Sequence, residues 1–263
     1  MEFIEYLKFF GIGILDGVIA GLLGIGGGVL IIPILLYITN VEVKVTTAIS
    51  AVQVFFASSF GTLFNYLQKT INFKYAAIFG LSSAITYFFG SYFTKYIPGT
   101  TIKIIYLFAV VLTIILFFIK RNNKDSINDN KIASSLMPDK KAYFKIIPIA
   151  LAAGFAFGIL GVGGGFLYVP LLALLFNFPL QIAIGTSLMI VFCNAVPGII
   201  GKLLAVRFDF LIGVSVAIGA IAGSRIGTYL NKKIKPQIIR IIFIVLLAVV
   251  IIRVAIDLYS NFM

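Results

Sequence analysis

One segment of this chain occurs twice. Gly21-Leu22-Leu23-Gly24-Ile25-Gly26-Gly27-Gly28-Val29-Leu30-Ile31-Ile32-Pro33 returns 137 residues later as Gly158-Ile159-Leu160-Gly161-Val162-Gly163-Gly164-Gly165-Phe166-Leu167-Tyr168-Val169-Pro170. At the same offset Gly13 and Gly17 fall on Ala150 and Gly154, and Ser50 falls on Ser187. The echo therefore extends beyond the glycines and reads as an internal duplication. Each glycine costs a helix roughly 1 kcal/mol against alanine, so a triplet within apolar sequence predicts a break. Apolar segments interrupted by Gly and Pro at matching places in two halves point to the central site of a secondary transporter.

The surroundings of these breaks fix the solvent. Hydrophobic residues make up 61% of the 263 residues and charged ones only 11%, with a mean hydropathy of +1.12. Such a chain lies outside the soluble range. Its apolar runs approach the ~20 residues that cross a bilayer as helix, and they are continuously apolar where barrel strands would alternate. The expected fold is all-α and polytopic. Spans are predicted at 3–22, 27–38, 45–66, 75–96 and 101–119, then at 146–160, 163–176, 182–201, 210–230 and 236–257. The segments 27–38 and 163–176 are short for full crossings, which puts the number of membrane segments between eight and ten. An odd number of crossings per half makes the repeats inverted and an even number makes them parallel; the sequence leans toward inversion.

Three units follow: an N-terminal repeat (1–119), a basic linker (120–145) and a C-terminal repeat (146–263). The linker holds Lys120, Arg121, Lys124, Lys131, Lys140, Lys141 and Lys145 against Asp125, Asp129 and Asp139, so the positive-inside tendency places it in the cytoplasm. Lys202 and Arg207, read as loop charges, fit poorly with an inverted arrangement.

Several function classes fall away. The net charge of +12 is spread between apolar spans rather than over one soluble face, which argues for cytoplasmic loops near anionic lipid and against nucleic acid. With no histidine in the chain, His-based triads and HExxH zinc sites are excluded. The single cysteine, Cys193, sits in an apolar run and reads as a small buried hydrophobe. The acidic start, with Glu2 and Glu5, predicts no cleaved signal. No nucleotide-binding motif is apparent, so no cofactor is expected, and energy would come from a coupling ion, proton or sodium, or from the solute's own gradient.

The candidate site residues cluster at the breaks. Gly13, Gly17 and Gly21, matched by Ala150, Gly154 and Gly158, form a smooth helix face suited to close packing. The triplets Gly26-Gly27-Gly28 and Gly163-Gly164-Gly165 exceed what packing requires. Their amides are expected at the N-termini of segments ending in Pro33 and Pro170, as either an anion cradle or a structural hinge. Ser50, its counterpart Ser187 and the adjacent Thr186 are polar candidates early in the third span of each half. Gln53 and Asn194 lie deeper, as helix bridges or as amide donors to a solute. Asp16 is an intramembrane carboxylate, for proton coupling or for a structural pair. Arg225, near the end of its span, either snorkels to the interface or meets an anion.

At these residues the chain resembles the sulfite exporter TauE/SafE family, also called the toluene-sulfonate uptake permease family. The doubled signature, Gly185-Thr186-Ser187 and the basic central loop carry the resemblance, which covers both halves; the first half has Ala48-Ile49-Ser50 in place of the family's Gly-Thr-Ser. The resemblance implies a multi-pass carrier in the cell membrane, not an enzyme, for small anions such as sulfite, sulfonates or related organic anions. A passive anion channel and a partner-dependent membrane subunit are the alternatives.

Overall fold

The structure is a computed structural model that describes residues 2–23, 27–39, 41–118, 140–231 and 236–262. Among the described residues all regular structure is helical. In chain order the helices are α1 (Glu2–Leu23), α2 (Ile31–Ile38), α3 (Val43–Leu67), α4 (Phe73–Phe93), α5 (Gly99–Phe118), α6 (Lys140–Leu160), α7 (Gly165–Leu175), α8 (Leu180–Ala205), α9 (Phe210–Asn231) and α10 (Pro236–Phe262), with a 3-10 turn at Thr94–Tyr96. Among the described residues, five apolar stretches are long enough to cross a membrane: Val43–Leu67, Phe73–Tyr96, Gly99–Leu116, Gln181–Ala205 and Phe210–Gly227.

Several boundaries differ from expectation. Helix α6 begins at Lys140, so it runs back into the basic segment assigned to the linker; helical hydrogen bonds are local and continue past the apolar window. Pro33 and Pro170 do not end their segments. Pro33 is the third residue of α2, where its missing N–H has no intrahelical partner to lose, and Pro170 lies inside α7. The rest of the linker, 120–139, lies outside the described residues, as does Gly26.

The distribution of side chains is that of a protein in lipid. Large apolar residues such as Leu15, Leu81, Ile85, Phe108 and Ile256 face outward, while Asp16, Thr47, Ser50, Gln53, Ser83, Asn194 and Lys202 have no exposed surface. Intramembrane polar groups belong inside the bundle, where they find one another. Edge-to-face contacts of Phe79 and Phe157 with Tyr168, and of Phe157 with Phe166, fill the space between them.

The closest helix pairs join the two ends of the chain. Helix α1 lies along α9, and α4 lies along α6 and α8; α3 contacts both α8 and α9, and α5 contacts α10. Gly13 faces Val216 and Gly17 faces Ala220, so α1 and α9 run parallel; Gly154 faces Ser83 and Gly158 faces Tyr87, so α4 and α6 do too. In contrast, α3 and α8 are antiparallel, since Thr47 near the start of α3 meets Lys202 near the end of α8 while Gly61 meets Leu188. At one rim Asp257 of α10 binds Lys103 of α5 at 2.5 Å and accepts from the Tyr37 hydroxyl of α2 at 3.3 Å.

Candidate functional site

The two glycine breaks meet in the protein interior. Gly27 and Gly28 have φ of +74° and +88°, and Gly161, Gly163 and Gly164 have +68°, +72° and +78°. This left-handed region is open to glycine and costly for a residue with a Cβ. A Cβ on Gly28 would run into Val54 and the Val162 carbonyl, and one on Gly163 would run into Val54 and Val191. Val54 of α3 therefore stands between the breaks, with the Val162 carbonyl against Gly28.

At the first break, Gln53 of α3 donates from Nε2 to Oδ2 of Asp16 at 2.8 Å. Gly27 covers this pair: a Cβ there would overlap the Gln53 amide and lie 3.4 Å from Asp16 Oδ2. The other two oxygens of the pair, Asp16 Oδ1 and Gln53 Oε1, are buried without a hydrogen-bond partner among the described residues. Nearby, the Tyr106 hydroxyl of α5 donates to the Val29 carbonyl just beyond the break.

At the second break, side chains from three other helices take up the carbonyls that α6 leaves free at its end. Ser91 of α4 donates to Gly158 O at 3.0 Å, Lys202 of α8 to Ile159 O at 2.6 Å and Ser50 of α3 to Gly161 O at 3.1 Å. Tyr87 of α4 accepts from the Gly163 N–H at 3.1 Å, so that amide is already engaged. Lys202 also donates to Thr47 Oγ1 at 2.9 Å and Thr94 Oγ1 at 2.8 Å, which occupies its three protons. No described carboxylate pairs with it. The end of α6 supplies about half a negative charge through the helix dipole; the remainder of the ammonium charge is uncompensated among the described residues.

Lys202 corrects the sequence reading, which placed it in a loop and ended its span at residue 201. It is a fully buried residue of α8, followed by Leu203-Leu204-Ala205 before the helix stops. That flanking apolar run was the available signal. Thr47, Tyr87 and Thr94 were also missed, because a hydroxyl within an apolar helix has the same appearance in sequence whether it bonds its own backbone or a distant helix.

The remaining candidates are dispersed. Asn194 accepts from Ser83 at 2.8 Å and reaches Tyr168 at 3.4 Å, joining α8 to α4 and α7. Thr186 accepts from the Asn72 N–H at 3.0 Å, and Ser187 bonds back to Ile184 O at 2.9 Å. These two lie about 23 Å along α8 from Lys202 at 1.5 Å per residue, so they belong to a separate neighbourhood. Gly164 caps α7 against the Phe157 ring and Gly165 begins that helix. Arg225 is exposed on α9, as expected of a cation reaching for the interface.

Leucine at Gly27 or Gly164 meets both obstacles, the left-handed backbone and an occupied space. Membrane insertion should persist, since the spans become more apolar, while transport is abolished. Surface expression measured beside solute flux checks this; normal flux through folded variants would remove the breaks from the solute's path.

Helices that turn apolar side chains outward and enclose a carboxylate, an ammonium and several amides and hydroxyls define a multi-pass membrane protein. The chain belongs to the sulfite exporter TauE/SafE family, whose model matches residues 9–254. It is similar to the probable membrane transporter protein YunE of Bacillus subtilis, at 25% identity over 91% of this chain and 93% of that one. Similarity to the probable membrane transporter protein MJ0441 of Methanocaldococcus jannaschii is 28% over 90% and 91%, and to one from Xylella fastidiosa 30% over 85% and 84%. No solved structure matches the chain. Membership makes the chain a membrane transporter rather than an enzyme.

Proposed function

We propose that the chain is a secondary transporter of small anions, sulfur oxyanions such as sulfite or sulfonates in particular, in the cell membrane. The observation that carries this reading is Lys202: a buried ammonium beside the second glycine break, held by three neutral oxygens and no described carboxylate. A buried charge that lacks a counter-ion gives its surroundings a potential that low dielectric hardly screens. That potential favours an anion and opposes a cation.

The helix pairing supports a carrier built of two halves, 1–119 and 146–263, joined by a cytoplasmic linker at 120–145. Exchanging the halves turns the α1–α9 pair into α6–α4 and the α3–α9 pair into α8–α4, and it maps α3–α8 and α5–α10 onto themselves. Because α3 and α8 are equivalent and antiparallel, the repeats are inverted, with the breaks at the axis that relates them. That is the arrangement from which alternating access is built.

Liposomes holding purified protein, given a sulfite or sulfonate gradient with and without a pH gradient, test the proposal. A carrier shows saturable flux and counterflow. Unitary currents without saturation would replace it with a channel, and no flux of any anion from folded protein would end the anion reading.

A further inference from the structure

We propose that Asp16 and Gln53 hold a proton between them at the first glycine break, and that this is the proton coupled to transport; the coupling role rests on the transporter reading above. The pair consists of a carboxyl and a carboxamide already joined by one hydrogen bond, Gln53 Nε2 to Asp16 Oδ2 at 2.8 Å. The atoms left over are both acceptors, Asp16 Oδ1 and Gln53 Oε1, each buried and without a partner among the described residues. Two orphaned acceptors cannot satisfy each other. One proton on Asp16 Oδ1 resolves both at once: the acid O–H donates to Gln53 Oε1, and acid and amide close a ring of two hydrogen bonds. The same proton removes a carboxylate charge that no described cation offsets.

The neighbourhood suits a proton better than a metal ion. A hard cation needs several oxygen ligands, and the pair offers two free ones. No described group of three or more His, Cys, Asp or Glu side chains could hold a metal. Among ionisable groups on the helices around α1, the Tyr106 phenol is close enough to feel the Asp16 charge, and its hydroxyl is committed to Val29 O. Facing Asp16's helix, α9 presents Val216 and Ala220 to Gly13 and Gly17, neither of which titrates.

Alternating access supplies the means of exchange. Gly27 lies directly against the pair, and any Cβ there would fill the space over the Gln53 amide. When the bundle opens to water on one side, as an alternating-access carrier does, water takes the proton from Oδ1 and leaves a carboxylate; when it opens on the other, a hydronium returns one. Each cycle moves one proton, with no other bond made or broken.

Infrared difference spectra and proteoliposome flux test the two parts separately. Wild-type protein at neutral pH should show the carbonyl stretch of a buried carboxylic acid, and Asp16→Asn should lack that band. Gln53→Met takes away the acceptor, so the acid band should persist and move to higher frequency. A wild-type spectrum whose acid band is unchanged by Asp16→Asn overturns the proposal. In flux measurements, transport by Asp16→Asn, whatever its rate, should be the same with and without a pH gradient that accelerates the wild type. A gradient response that survives in Asp16→Asn overturns the coupling role. If Asp16→Asn carries no solute, Gln53→Met decides: a weaker gradient response together with the moved band supports the proposal, and both unchanged overturn it. If wild-type protein moves no anion at all, the anion reading falls, and the infrared result alone decides whether Asp16 holds the proton.

Discussion

Lys202→Met is expected to reach the membrane folded and to transport the anion at least about a hundredfold more slowly, equivalent to a loss of ~2.7 kcal/mol of transition-state stabilisation. The two side chains have similar length, so the aliphatic stem keeps its packing beside Gly161. Methionine leaves three acceptors without the ammonium, but other hydrogen bonds remain around them. The Thr47 hydroxyl still donates to Lys44 O, and the one Thr94 hydroxyl proton lies between two carbonyls, Gly90 O at 3.1 Å and Ile159 O at 3.4 Å. Against those weakened bonds stands the removal of a buried charge, and apolar replacement of buried ions is often neutral or stabilising. Thermal unfolding in detergent should therefore change little while flux collapses. That separation distinguishes a charge acting on the solute from a helix cap. Wild-type flux from Lys202→Met would mean that the ammonium serves only the end of α6, and the anion preference would have to arise elsewhere.

A large loss of stability is expected at Gly17. Its Cα faces the Ala220 backbone so closely that a Cβ would overlap the Ala220 carbonyl. The obstacle is main chain in the middle of a helix, which cannot rotate away as a side chain can. Alanine should cost about 1–3 kcal/mol, the usual range for overpacking, and leucine should prevent α1 and α9 from closing. Gly11 gives the control on the same helix, because a Cβ there meets nothing within 4 Å. Size-exclusion profiles after stepwise heating should show Gly11→Leu near wild type and Gly17→Leu absent from the folded peak. Equal profiles would mean that the two helices do not pack through their glycines.

Much of the architecture was legible because membrane helices announce themselves by length and continuous apolarity. The predicted starts and ends of the third, fourth and ninth segments fall within a few residues of α3, α4 and α9. Small residues at four-residue spacing correctly marked a close helix face, though the sequence did not say that α9 is what lies against Gly13 and Gly17. What the sequence withheld is which polar groups meet. Gln53 and Asp16 are 37 positions apart and Lys202 and Thr47 are 155 apart, and no local pattern encodes such distances. Lys202 was lost for a further reason: a lysine near the end of an apolar run looks like an interfacial cation unless the helix is known to continue past it.

The pairing of α1 with α9 and of α4 with α6 also sets an order of events during synthesis. Helix α1 buries its glycine face on α9, and α6 buries its own on α4, so each depends on a helix far away in the chain. The glycine face of α1 enters the bilayer long before α9 has been made. At roughly 5–20 residues per second, the intervening stretch of chain takes on the order of ten seconds or more to emerge. Throughout that interval the narrow face of α1 has only lipid, or some temporary neighbour, to lie against. Assembly of this protein thus begins with a helix that becomes a finished part only when α9 arrives.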